Sequence, residues 1–235
     1  RYFKSKVFLN LYHARNLAVK KSKGEFIAFL DADDWWTKDK LKKQVDFLSK
    51  NKNINIVYSN LYLFDDRNNK KKIFSTKNLY NGKITQELLN EFKMPILTTL
   101  IRKKIFKKHR FDKNYNIIGD FDFFIKVSLS EKVLSIQEPL AYYRVHSSSM
   151  STRRLDLNIS ELENWINFNK TKKQYKYLNF SAVHYKIQTL KIKYNLLSGH
   201  RLKAVKELFK FPIQLHNFKF FPFIFLPYKI TKIFF

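Results

Sequence analysis

The sequence predicts a mixed α/β domain followed by an α-helical extension, on three observations. Apolar runs of strand length alternate with segments of helical period as far as Met150. After Ser151 the strand-like runs stop and only helical patterns remain. Four Gly and five Pro in 235 residues argue against a loop-rich or fibrous chain.

The elements follow in order. Leu11–Lys23 reads as a helix, because Leu11, Ala14, Leu17 and Ala18 share one side and Gly24 stops it. Glu25–Leu30 is a short apolar run before a cluster of acids, the pattern of a buried strand. Thr37 is placed to cap a helix that Leu41, Val45 and Leu48 carry to Lys50. Ile54–Phe64 is rich in β-branched and aromatic residues and reads as a strand, with Asp65–Lys72 as a polar turn. Ile84–Glu91 reads as a short helix, Thr98–Arg102 as a strand and Lys103–Lys108 as a helical turn. Asp120–Glu131 is helical with Phe123, Phe124 and Val127 inward, and Val133–Ile136 and Ala141–Val145 are strands. Leu155–Phe168, Tyr175–Leu197 and His200–Phe209 are helices. The predicted organisation is a catalytic-type domain over 1–151, a helical extension over 152–210 and an aromatic, basic tail over 211–235.

That tail is too short in uninterrupted apolar length for the ~20 residues a spanning helix needs, and Pro222 and Pro227 break it. Two readings stay open. The rings sit in a lipid headgroup zone with Lys219, Lys229 and Lys232 on anionic lipid, or they pack on the domain.

The formal net charge is +27. It implies attraction to an anionic partner, or compositional drift toward Lys, Asn, Ile, Phe and Tyr. The chain has no cysteine, which excludes disulfides, thiolate zinc sites and cysteine nucleophiles. Arg1–Asn10 lacks the apolar core of a signal peptide, and the first residue is not Met.

The sharpest local feature is Asp31-Ala32-Asp33-Asp34-Trp35-Trp36, directly after the run EFIAFL. A strand end is where α/β proteins place ligand groups. Two carboxylates there, at i and i+2, suit one hard divalent cation. They also suit the first turn of a helix, where the dipole favours acids.

Further motifs follow. Ala14-Arg15-Asn16 and Lys23-Gly24-Glu25 precede the acids; Arg102–Phe106, Phe111-Asp112, Gly119-Asp120-Phe121-Asp122-Phe123-Phe124 and Tyr142-Tyr143-Arg144-Val145-His146 with Ser149-Met150-Ser151 come after. In this order, from about Leu11 to Ser151, they resemble the family 2 glycosyltransferases. The resemblance implies a GT-A-like (Rossmann-like) mixed sheet flanked by helices. It also implies inverting, metal-dependent transfer from a nucleotide-diphosphate sugar to a glycan or lipid-linked acceptor, of the kind used in bacterial surface polysaccharide synthesis.

Residue roles follow from the resemblance. Asp120 matches the catalytic base; its other reading is a cap of the helix that follows. Asp31, Asp33 and His146 match ligands of a divalent cation, Mn2+ or Mg2+, with Asp34 in support. Arg15, Asn16, Asp31 and Arg144 are candidates for the donor diphosphate, since guanidinium groups fit phosphate. Trp35, Trp36 and Asp122 are candidates for acceptor binding; core packing is the other reading for the tryptophans.

Two departures stand out. The family's opening strands, which cradle base and ribose, have no match here. The chain is therefore expected to lack the first strands of the sheet and to be part of a longer protein. Gly119 stands where the family commonly has an acid. The partners implied are a nucleotide-sugar donor, a glycan or lipid-linked acceptor and an anionic membrane surface, with the protein peripheral at the inner face of the cytoplasmic membrane. A non-catalytic remnant or membrane-associated module is the alternative. A nucleic-acid-binding role is disfavoured, because no zinc-finger, RRM or KH motif is present and the acids cluster where a groove would be basic.

Overall fold

Helix α1 (Leu11–Lys21) begins where the sequence supplies a cap: Asn10 Oδ1 accepts the His13 amide at 2.9 Å. It ends as the Ser22 amide turns back to Ala18 O at 2.9 Å. The computed structural model describes residues 2–146, 149–210 and 220–226, and the chain divides into two compact units, 1–149 and 150–235.

In the first unit, β1 (Phe26–Ile27) is shorter than the apolar run that announces it. β2 (Trp35–Trp36) is a strand that local patterning does not reveal. α2 (Lys40–Lys50) follows, with Asp39 rather than Thr37 at its cap position. The Thr37 hydroxyl instead bonds Asp39 Oδ1 at 2.8 Å and Leu140 O at 3.2 Å, so it fastens β2 to a distant strand rather than closing the helix. β3 (Ile56–Asp65) and β4 (Lys70–Ile73) form a hairpin where a plain polar turn was expected. Asn69 takes φ 53° at its tip, a conformation Asn tolerates better than most residues. α3 (Thr85–Asn90), β5 (Thr99–Arg102) and α4 (Gly119–Ser128) match their apolar patterns.

β6 runs unbroken over Val133–Val145, where two strands were expected. Pro139 lies opposite Asn60 at a shift in register against β3. Proline has no amide to offer, so a bulge is where it fits. Asn60 makes up the local hydrogen bonding: its Nδ2 donates to Ser75 O at 2.7 Å, and its Oδ1 accepts from the Leu61 and Ser75 amides.

The sheet order is β1-β5-β3-β6-β2, with β4 on β3. Among the described residues, only β3 and β6 pair in parallel. Helix α2 covers one side through Leu48 against Val57 and Leu100. Phe29, Phe106, Phe111 and Phe123 form a ring-on-ring layer; Phe111 and Phe123 stack at 4.4 Å between centroids. This is the α/β layering the sequence predicts, with a mixed sheet flanked by helices.

Lys40 is an exception to the apolar interior. It is wholly buried, its ammonium 4.4 Å from the Trp36 ring centroid and 2.7 Å from Gln44 Oε1. Burial pushes its pKa down to about 7.

The second unit is helical: α5 (Met150–Arg153), α6 (Leu155–Asn169), α7 (Ser181–Leu197), α8 (Arg201–Phe209) and α9 (Phe221–Phe225). α7 starts six residues later than its periodicity suggests, because Tyr175 is buried beside Trp165 and Phe180. Ile192, Leu196, Ala204, Leu208 and Phe220 form one core, with Phe223 and Ile224 packed on it. Within the tail, 211–219 and 227–235, with Lys219, Lys229 and Lys232, lie outside the described residues. No helix among the described residues is long and apolar enough to cross a membrane.

Candidate active site

The end of β1 and the start of β2 present Asp31, Asp33 and Asp34, and each finds a different partner. Arg15, from the middle of α1, places Nη2 2.8 and 2.9 Å from the two Asp31 oxygens. The guanidinium is 7% exposed, with Tyr12, Phe29 and Phe111 around it at 5.5–6.0 Å. It therefore fixes the Asp31 carboxylate from below.

Asp33 is 49% exposed and its Oδ2 lies 2.8 Å from His146 Nε2. His146 follows the end of β6, two residues beyond Arg144. Asp34 accepts the Arg144 amide at 2.9 Å, which ties the acidic turn to that strand end. Burial, with the neighbouring Asp33 and Asp31 charges, raises its pKa to about 6.

Asp120 stands in the first turn of α4, half-buried. Its Oδ1 accepts from the Phe121 amide at 2.9 Å and faces the Tyr12 hydroxyl at 3.4 Å. Tyr12 also donates to Ile117 O at 2.6 Å. Burial and the Asp120 charge push the Tyr12 pKa well above the usual tyrosine range, so the phenol stays a donor. Asp120, Tyr12, Arg15 and Asp31 thus form a connected series across α1.

Tyr12 was not foreseen as a site residue. Its only sequence clue is its place one turn ahead of Arg15 on the same helix.

Other expected site residues are engaged elsewhere. Asn16 spends both ends of its amide on Phe111, donating to its carbonyl at 2.8 Å and accepting its amide at 3.1 Å. It borders a basic groove of about 730 Å³ with Lys20, Lys103, Lys107 and Arg110, which contains none of the carboxylates. Asp122 turns inward: it is wholly buried and bonded to Lys126 at 2.7 Å, as its spacing of two from Asp120 on a helix dictates. Trp36 gives its indole N–H to Leu97 O at 2.9 Å and packs in the core. Trp35 stacks on Tyr142 at 5.0 Å and 10°, with the Arg144 guanidinium 5.3 Å from its centroid. Its ring faces therefore have neighbours within the protein. Arg144 Nη1 is 3.6 Å from Asp66.

Of the three expected cation ligands, Asp33 and His146 stand together and would be the donors if an ion bound here. Ligands at right angles about 2.1 Å from an ion stand about 3 Å apart, close to the 2.8 Å seen between these two atoms. The pair fits two positions of an octahedral ion. Asp31 is already neutralised by Arg15. Among the described residues, no group of three or more His, Asp or Glu is gathered to hold a metal.

Comparison with known proteins identifies the family of the chain. An uncharacterized glycosyltransferase of Methanocaldococcus jannaschii is 30% identical over 133 residues, 56% of this chain and 46% of its own length. A UDP-Glc:alpha-D-GlcNAc-diphosphoundecaprenol beta-1,3-glucosyltransferase of Escherichia coli, WfaP, is 45% identical over 53 residues, 23% of this chain and 21% of its own. The crystal structure of S. aureus TarS residues 1–349 aligns with 84% of this chain and 68% of its own at 15% identity and a TM-score of 0.48. The chain spans about half the length of the first curated relatives it matches. The sequence model described as glycosyl transferase family 2 matches residues 1–127, more than half of the 235, and the chain belongs to that family.

Proposed function

We propose that the chain carries the acceptor-activating and diphosphate-facing part of an inverting glycosyltransferase. The donor is a nucleotide-diphosphate sugar, and the acceptor a hydroxyl of a glycan or lipid-linked sugar in surface polysaccharide synthesis. Family membership supports the reaction class. The activity named for the E. coli relative WfaP supports a diphosphate-lipid acceptor. The observation that carries the reading is Asp120: a half-buried carboxylate at a helix start, held by an amide and a phenol, connected through Tyr12 and Arg15 to the acidic turn.

In this reading Asp120 takes the proton of the acceptor hydroxyl. The acceptor oxygen forms its bond to the anomeric carbon as the bond to the diphosphate breaks on the opposite face. Asp33 and His146 are the residues that would hold a divalent cation, Mn2+ or Mg2+, and such an ion would supply positive charge to a departing diphosphate. Arg15 keeps Asp31 oriented, and Asp34, by accepting the Arg144 amide, keeps the turn joined to β6. The protein works peripherally at the inner face of the cytoplasmic membrane, where a lipid-linked acceptor resides.

The test is a transfer assay with UDP-glucose, whose glucose is α-linked, and a short-chain polyprenyl-diphosphate N-acetylglucosamine. A β-linked product is expected by NMR. An α-linked product contradicts inversion. A folded chain with no transfer to any hydroxyl acceptor favours the non-catalytic module.

A further inference from the structure

Helices α8 and α9 carry a surface that the catalytic reading does not use. On α8, Leu202 is 81% exposed and Phe209 is 60% exposed. They are seven residues apart, so they share one face, opposite the buried Ala204 and Leu208. On α9, Phe225 is 70% exposed and Phe221 44%, and their rings meet edge to face at 5.3 Å. The opposite side of this helix packs inward through Phe223 and Ile224. Arg201 Nη2 donates to Leu226 O at 2.6 Å. That bond ties the start of α8 to the residue that follows α9.

The polar groups of α8 are cationic. Lys203, Lys206 and Lys210 are exposed, and Glu207, the one acid of the helix, is 15% exposed and bridged by Lys210. Four large apolar side chains left in water, rimmed by lysines, are costly unless something covers them. A neutral apolar partner would leave the lysines unmatched. An anionic bilayer matches both, with rings at the acyl boundary and ammonium groups among the phosphates.

We infer that the α8–α9 surface docks this chain on an anionic phospholipid membrane. The inference gives the peripheral-membrane part of the function proposed above a physical surface, and rests on that reading only for its biological purpose. It places the contact on residues 202–209 and Phe221–Phe225 rather than on the tail lysines Lys219, Lys229 and Lys232. Spanning is not involved: the apolar residues lie on one face of short helices, and insertion reaches only the headgroup and upper acyl zone.

The experiment is flotation of the full chain with phosphatidylcholine vesicles and with phosphatidylcholine–phosphatidylglycerol vesicles. Wild type is expected to float with the second and not the first, and to be released by high salt. Phe209→Ser/Phe225→Ser and Lys203→Glu/Lys206→Glu are each expected to lower the bound fraction about tenfold or more, because apolar burial and charge attraction both contribute. Circular dichroism and thermal melting check that each variant folds; both pairs are exposed, so either serves if the other fails. Equal flotation of wild type and both variants overturns the inference, as does absence of binding to anionic vesicles. So does a dimer in sedimentation velocity that Phe209→Ser/Phe225→Ser dissolves, since a second copy then covers the face. Vesicle binding needs no turnover: a chain that floats yet transfers no sugar sinks the proposed function and leaves the docking surface standing.

Discussion

The Tyr12 ring occupies the space that a side chain at Gly119 would need: a Cβ built on Gly119 meets Tyr12 Cε2 at 2.5 Å. The glycine that departs from the family's usual acid is therefore a packing requirement. It lets α1 approach the start of α4 closely enough for the Tyr12 hydroxyl to reach Asp120. Gly119→Ala is expected to lower stability by about 1–3 kcal/mol, the usual cost of overpacking a filled site. Gly119→Ala with Tyr12→Leu is expected to regain part of that loss, because the smaller side chain vacates the ring's place. Denaturant melts of the two single variants and the double variant measure the coupling; strict additivity contradicts the close approach.

The Asp33–His146 pair predicts a specific loss of cation-dependent binding. Asp33→Ala and His146→Ala are each expected to weaken Mn2+ binding in the presence of UDP by at least about tenfold. Asp46→Ala, a carboxylate on α2 away from this pair, is expected to leave it unchanged. Titration calorimetry reads the difference, and equal Mn2+ affinity in all of them rules out this pair as the ligands.

Lys40 predicts a dependence of stability on pH. Its folded pKa, about 7, is lower than the ordinary 10.5. Between these two values the unfolded chain binds more protons at this residue than the folded chain. Its contribution to stability therefore rises as pH climbs from 7 toward 10.5, and is least favourable below 7. Lys40→Met is expected to lack that rise, so the difference between wild-type and variant unfolding free energies, measured by urea melts, is expected to climb with pH across this range. A difference that stays flat with pH contradicts a neutralised buried lysine.

What the sequence disclosed, and what it hid, divides by the range of the interaction. α2 and α4 were legible because their apolar residues recur every three to four positions, and the acidic turn because its carboxylates are adjacent in the chain; α1 lies where expected, but Leu11, Ala14 and Ala18 of its apolar side are exposed and Tyr12, Arg15 and Val19 are buried instead. β2 was not, since two tryptophans form a strand only through pairing with Tyr142 and Ala141 over a hundred residues away. β6 was read as two strands, Val133–Ile136 and Ala141–Val145; the bulge at Asn60 that lets it run on through Pro139 is set by another strand. Lys40 reads as a solvated helix start, and only the Trp36 ring and Gln44 amide make its burial intelligible. Asp31 and Arg15 were both singled out from the sequence. Their pairing was not, because it depends on α1 crossing beneath the end of β1.

Asp120→Asn gives the most direct test of the account. The amide keeps the oxygen that accepts the Phe121 and Tyr12 donors, so the fold and donor affinity are expected to persist. It cannot accept a proton, so transfer from UDP-glucose under single-turnover conditions is expected to fall by about 10²–10⁴-fold. A variant that transfers sugar at the wild-type rate contradicts the assignment of Asp120 as the group that activates the acceptor.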